Sequence, residues 1–190
     1  MLDKPAGMLS VPGKSITDSV ESRLQARYPG HLSVMLVHRL DQATSGLLIA
    51  AKNRHSHRGL QHQFERRLID KEYIALVSGK IRPCSGTIDL PLRVDLLDRP
   101  RQCVCFKHGQ VAKTNWSVVS RTGDTTRIRF KPVTGRTHQL RVHAAHQNGL
   151  DAPIVGDPLY SAGFNRGDAD PTNDAGRNQR MMLHLSLIHI

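Results

Sequence analysis

Between Thr126 and Lys131 the chain alternates, with Ile128 and Phe130 on one parity and Arg127 and Arg129 on the other. Successive side chains of an extended chain point to opposite faces, so this period of two specifies a strand with one face in a core and a basic face in water or against a ligand. Lys71–Ser78 alternates in the same way, with Tyr73, Ala75 and Val77 on one face and Ile74 and Leu76 on the other. Further strands are predicted at Gln102–Phe106 and Lys113–Val119. Strands clustered this closely pair antiparallel, and the chain therefore reads as α+β, a mixed, mainly antiparallel sheet with flanking helices.

The helices are read from a different period. Ile16, Val20 and Leu24 recur every four residues within Ser15–Arg27, with Thr17, Asp18 and Ser19 as caps and Tyr28-Pro29-Gly30 as the stop. After Asn53 as N-cap, Leu60, Phe64 and Leu68 form an apolar line, while Arg58, Arg66 and Arg67 lie off it. A third helix is predicted from Thr134, its N-cap, through His146 to a stop at Gly149, and it is unusually polar. Arg82–Arg101 is a Pro- and Arg-rich stretch to which no element is assigned, and Gly163–Asn178 reads as a loop or insertion. Between the apolar run Val34–Val37 and the β-type segment Leu47–Ala51 sits the polar turn His38-Arg39-Leu40-Asp41-Gln42-Ala43-Thr44-Ser45-Gly46.

Charge narrows the function. Lys and Arg number 27 against 16 Asp and Glu, a formal charge of +11 spread along the chain, and the partner this suits best is a polyanion such as nucleic acid. The three cysteines, Cys84, Cys103 and Cys105, are too few and odd in number for a secreted disulfide framework, which favours a reducing compartment, and the working location is the cytoplasm. No apolar run approaches the roughly 18 residues that span a bilayer.

Neither Cys103-x-Cys105 nor His138, His143 and His146 has zinc-ligand spacing, and no Gly-rich phosphate loop is present, so neither a metal nor a nucleotide cofactor is indicated. What remains is Asp41, a carboxylate in a turn behind a basic pair, which suits a nucleophile held ionised by a cation and equally suits a turn cap. The polar helix near Gly135–His143 is the second candidate.

His38-Arg39-Leu40-Asp41-Gln42-Ala43-Thr44-Ser45-Gly46-Leu47-Leu48 resembles the signature of the RluA family of RNA pseudouridine synthases, and Gly135-Arg136-Thr137-His138-Gln139-Leu140-Arg141-Val142-His143 resembles its second motif. Lys4-Pro5-Ala6-Gly7-Met8-Leu9-Ser10-Val11-Pro12-Gly13, Lys71-Glu72-Tyr73-Ile74-Ala75 and Gly156-Asp157-Pro158-Leu159-Tyr160 are further matches, in the family's order. The stretch Arg93–Phe106 is most similar to the branch acting on ribosomal and transfer RNA.

The resemblance implies the pseudouridine synthase fold and the isomerisation of uridine to pseudouridine in 23S ribosomal RNA, transfer RNA or both, by a monomer without cofactor or metal. It casts Asp41 as the catalytic carboxylate, Arg141 as the guanidinium paired with it, and Tyr73 as the ring against the uracil. Leu140 packs under the base, Arg39 fills or braces the gap left by the swung-out nucleotide, and Arg136 and His138 are substrate-binding positions. Whether Asp41 attacks the ribose, attacks the base or leads to a glycal stays open. A noncatalytic RNA-binding module of this fold, and a nucleoside or glycoside hydrolase, are the alternatives. Residues 1–184 read as one catalytic domain shortened at both ends, and 185–190 as a tail foreign to the family pattern.

Overall fold

The computed structural model describes residues 1–29, 34–161 and 180–190. In chain order the elements are β1 (Leu2–Lys4), α1 (Val20–Arg27), β2 (Met35–Leu36), β3 (Ser45–Leu48), β4 (Ala50–Ala51), α2 (Arg54–Glu65), β5 (Asp70–Ser78), β6 (Ser85–Asp89), β7 (Leu92–Val94), β8 (Gln102–Val104), β9 (Lys113–Thr122), β10 (Thr125–Pro132), α3 (Gln139–Ala145) and β11 (Leu183–His189). The expected α+β, mainly antiparallel character holds. Gly30 and the expected loop Gly163–Asn178 lie outside the described residues. Two compact units are formed, one from Met1–Lys71 with His184–Ile190 and one from Glu72–Leu183.

In the first unit β3 pairs antiparallel with β1, Leu2 opposite Leu48, and parallel with β11, Leu185 opposite Gly46. Gly46 has φ +122°, and a Cβ there would stand 2.4 Å from the Leu185 carbonyl oxygen, so only glycine lets the two backbones meet. The expected strand Leu47–Ala51 is two short ones, β3 and β4, with β4 paired to β2. Ser19, one of the three expected caps, closes α1 in a reciprocal box with Ser22, and the helix starts at Val20, five residues after the beginning of the expected span. Asn53 caps α2, whose Leu60 and Phe64 pack on Val37, Ile49 and Ala51. Leu68 does not continue that line. Arg67 turns left-handed at φ 56°, its N–H bonds to Phe64 O and that of Leu68 to Gln63 O, a closure that ends the helix and leaves Leu68 exposed.

The second unit is built on the antiparallel order β5-β10-β9-β6, with Ala75 opposite Ile128, Phe130 opposite Trp116 and Ile88 opposite Thr114. Ile128 and Phe130 are fully buried and Arg127 and Arg129 exposed, as the alternation requires. On the exposed face Glu72 takes ion pairs from Arg129 and Lys131. The Pro- and Arg-rich stretch, given no element from sequence, contains β6 and β7. Pro83 and Pro91 fall just outside those strands, where a missing N–H breaks no ladder bond. β7 pairs with β8 as a hairpin, Leu92 opposite Val104, over a core of Leu92, Ala112, Val142, Ala145 and Tyr160. The third helix begins at Gln139, not Thr134. Thr134 uses its hydroxyl on Lys113 and Gln139 rather than as a cap, and His138 occupies the N-cap position with φ 54° and no capping bond.

Candidate active site

The turn holding Asp41 is fixed from beneath by the N-terminal segment. Ser10 Oγ donates to Leu40 O (2.7 Å) and accepts from Leu40 N–H (3.0 Å). Gly7 N–H donates to Gln42 O (2.8 Å), and Gln42 Nε2 returns a bond to Gly7 O (3.0 Å). Lys4, fully buried, donates from Nζ to the carbonyls of Pro5 (2.9 Å), Met8 (2.8 Å) and Gln42 (3.1 Å). Burial pushes its ammonium down to about 8, and the Asp41 carboxylate opposes part of that fall. Lys4 is thus a buried cation whose charge is felt by Asp41 within the first unit. The sequence reading quoted Lys4 in a motif and gave it no role.

His38 anchors the other end of the turn. Its Nε2 accepts the Ile49 N–H (3.2 Å), so the ring proton is on Nδ1, and the ring stacks on Phe64 at 4.9 Å and 23°. Burial, helped by the Lys71 charge, holds the imidazole at about 4 and therefore neutral in ordinary buffers. Asp41 is half-buried and Arg39 exposed. An open cleft of about 380 Å³ adjoins the turn, lined by residues 5–9 with Ile16, Asp18 and Gln42.

The other sequence-predicted residues belong to the second unit. Tyr73 lies on β5 opposite Phe130, half-buried. Leu140 is buried in α3, and Arg136 donates from Nε to Val111 O (3.1 Å). Arg141, 3% exposed, is gripped as a fork by Asp157, Nε to Oδ2 at 2.8 Å and Nη2 to Oδ1 at 2.7 Å. Asp157 Oδ1 also accepts from the N–H groups of Leu159 and Tyr160. The Tyr160 ring lies 5.0 Å from the guanidinium carbon, and its hydroxyl meets Gln102 N–H (2.7 Å) and His138 Nδ1 (2.8 Å). His138 and Arg141 are thereby joined through Tyr160. Asp157 and Tyr160 escaped the residue-by-residue reading, although the segment Gly156–Tyr160 stood among its family matches.

The polarity of α3 is spent inside the unit. Gln139 Nε2 donates to Lys113 O (3.0 Å) and to Thr114 Oγ1 (2.9 Å). Thr114 then gives its own proton to His143 Nδ1 (3.0 Å), and His143 Nε2–H donates to Leu90 O (3.2 Å). Every polar side chain on the helix is thus tied to a strand of its own unit or to the segment after the helix. A buried guanidinium and imidazole are held at fixed orientation, which loops rarely achieve.

The profile of the family described as RNA pseudouridylate synthase matches residues 1–146. The chain is 46% identical over 169 residues to the dual-specificity RNA pseudouridine synthase RluA of Vibrio vulnificus, covering 85% of this chain and 65% of that protein. It is 41% identical over 193 residues to the protein of the same name from Escherichia coli, covering 100% of this chain and 81% of that one. The solved structure of human RNA pseudouridylate synthase domain containing 1 superposes with a TM-score of 0.78 at 30% identity, covering 98% of this chain and 72% of that one.

Proposed function

This chain belongs to the RNA pseudouridylate synthase family, and from that premise we propose that it isomerises uridine to pseudouridine at particular sites of structured RNA, with Asp41 as the catalytic carboxylate. Two relatives are named for dual specificity, and ribosomal RNA, transfer RNA or both are the substrates we assign. The observation that carries the reading is the Asp41 turn itself, a half-buried carboxylate between Leu40 and Gln42, whose backbone carbonyls are clamped by Ser10 and Lys4, in a chain of formal charge +11.

In the reaction the C1′–N1 bond breaks, the detached uracil turns, a C1′–C5 bond forms, and the C5 proton is lost while N1 gains one, so atoms balance without a co-reactant. The oxocarbenium-like sugar that develops is stabilised or trapped by a carboxylate. Attack on the ribose, attack on the base and a glycal route all use the same group. Arg141 steadies the charge on Asp41. What supports this is a guanidinium already fixed in orientation by the Asp157 fork, at Nε and Nη2. Tyr73 stacks on the uracil and its hydroxyl assists removal of the C5 proton. Leu140 packs under the base, Arg136 contacts the substrate, and Arg39 braces the vacancy that the swung-out nucleotide leaves.

A retaining hydrolase would need a second carboxylate as acid. Asp157 is buried with both oxygens occupied by Arg141, which argues against that role. We place the chain in the cytoplasm as a monomer, a location its free thiols at Cys84, Cys103 and Cys105 support. Among the described residues no helix is long and apolar enough to cross a membrane.

The test is conversion of ribosomal and transfer RNA transcripts carrying tritium at uridine C5. Tritium release with the base retained in the polymer, abolished by Asp41→Asn while RNA binding persists, is expected. Free uracil would indicate hydrolysis, and binding without release by the wild type would indicate a noncatalytic module.

A further inference from the structure

Helix α2 lies on the surface of the first unit with none of its residues fully buried, and Leu60 and Phe64 pack from it onto Val37, Ile49 and Ala51. Its inner side is also tied to the segment that leads into the Asp41 turn. Phe64 stacks on the His38 ring at 4.9 Å, and His57 Nε2 donates to Leu36 O (3.1 Å).

The side turned away from those contacts carries charge of one sign. Arg54, Arg58, His62 and the C-cap Arg66 follow one another every four residues, all exposed, with His55 beside them. Four residues of helix rise about 6 Å, so the row presents its groups at a spacing close to that of successive phosphates along a nucleic-acid strand. Glu65 is the one acid of the helix and stands near the end of the row.

The placement of these charges runs against the stability of the helix. The N-terminal end of a helix is the positive pole of its dipole, which favours Asp or Glu in the first turn and Lys or Arg in the last. Helix α1 of the same unit conforms, with Glu21 at its start and Arg27 at its end. Helix α2 has no acid in its first turn and opens on Arg54 and His55. An anion lying along the row reverses that cost, because it meets the arginines and the dipole with the same charge.

We propose that the outward row Arg54, Arg58, His62 and Arg66 is a docking strip for the phosphodiester backbone of the substrate RNA, read by charge and without regard to base sequence. The occupant is RNA because an extended anion of regular spacing complements the row, and the inference rests on the RNA-modifying reading above for that identity. Through His38 and Leu36 the strip is fixed to the same segment as Asp41, so RNA held on it is restrained relative to the Asp41 turn.

Equilibrium binding of a transfer RNA transcript to the full chain, followed over a range of salt, tests the strip without needing turnover. Arg54→Gln with Arg58→Gln is expected to weaken Kd about tenfold at about 0.1 M salt and to flatten the slope of log Kd against log salt by between about one and two, the yield of two lost phosphate contacts. In turnover the loss is carried by KM. Lys80 and Arg82, exposed in the second unit, supply the comparison. Lys80→Gln with Arg82→Gln removes the same net charge, and equal losses from the two pairs would show a diffuse field and overturn the strip.

Two single changes separate binding from folding. Glu65→Gln is expected to tighten Kd. Arg54→Glu suits the dipole, so it should leave the melting temperature equal or higher while weakening Kd more than Arg54→Gln; a Kd unmoved by Arg54→Glu would overturn the proposal. Binding of vesicles of anionic phospholipid that the double variant loses, with its RNA affinity intact, would assign the row to a membrane and overturn it as well. If the wild type binds RNA through the row yet leaves uridine unchanged, this inference stands and the functional reading falls. If uridine is isomerised while Kd and salt slope ignore the double substitution, the inference falls and the functional reading stands.

Discussion

Lys4 Nζ donates to three carbonyls, and an ammonium has no fourth proton to give. It therefore acts at once as the clasp of the Asp41 turn and as a positive charge beside the carboxylate. Its value of about 8 against 10.5 for an ordinary lysine has opposite consequences for stability and for activity. Between those two values the unfolded chain binds more protons than the folded one, so this group makes folding more favourable as pH rises, because the cost of a buried charge is relieved. Activity moves the other way, since a neutral amine removes one donor from the clasp and the cation from Asp41. The prediction is an alkaline fall in kcat/KM with a midpoint near 8 and no parallel fall in melting temperature. A Lys4 amine titrating close to 10.5 by NMR would refute it. Lys4→Met should cost about 2–4 kcal/mol in denaturant unfolding, because carbonyls that met the amine are left without it. Asp41 was legible from its turn and its neighbours in sequence. Lys4 was not, because convergence of three carbonyls from residues 5, 8 and 42 is a property of the folded loop and leaves no periodicity.

The element whose sequence misleads most is α3. Gln139, Arg141 and His143 make the helix unusually polar, yet all three are buried at 4% exposure or less. Their partners come from β9, the β6–β7 connection and the segment after the helix, and period-based reading has no access to such tertiary bonds. The start of the helix shifted for a related reason: Thr134 resembles an N-cap locally, but its hydroxyl is more fully satisfied by Lys113 and Gln139. Strands β6 and β7 were missed because proline beside a short segment reads as loop, although Pro83 and Pro91 only mark the ends. Within α3 the Arg141–Asp157 fork bears the largest energetic stake. Removing one partner of a buried pair leaves the other charge uncompensated, so Asp157→Asn should destabilise the chain by about 3 kcal/mol. A double-mutant cycle with Arg141→Met should return a coupling of at least about 1.5 kcal/mol; independent, additive losses would show that the fork is not what holds the guanidinium.

For the whole molecule the informative feature is that the first unit is discontinuous in sequence. Residues 1–71 need His184–Ile190 to complete it, and the segment read as a foreign tail is strand β11. Leu183 and Leu185 are buried on it, and Leu185 faces Gly46, in the same motif as Asp41. The sequence hid this because parallel pairing joins residues about 140 positions apart, and six residues beyond a family pattern offer no internal sign of a partner. The consequence is that the carboxylate turn near the N-terminus depends on the last residues of the chain. Leu185→Asp places a charge at a fully buried position against the Gly46 backbone, where water cannot follow it. It should raise hydrogen exchange across β1, β3 and the turn from His38 to Gly46 by at least about tenfold and abolish turnover. Exchange in β9 and β10, which belong to the other unit, should change far less. Leu187→Asp, at a position 42% exposed on the same strand, supplies the control and should leave exchange in the turn close to wild type. Protection of the turn unchanged in Leu185→Asp would mean that β11 merely rests on the first unit, and the Asp41 turn would then owe its order to its bonds with the N-terminal segment and to His38.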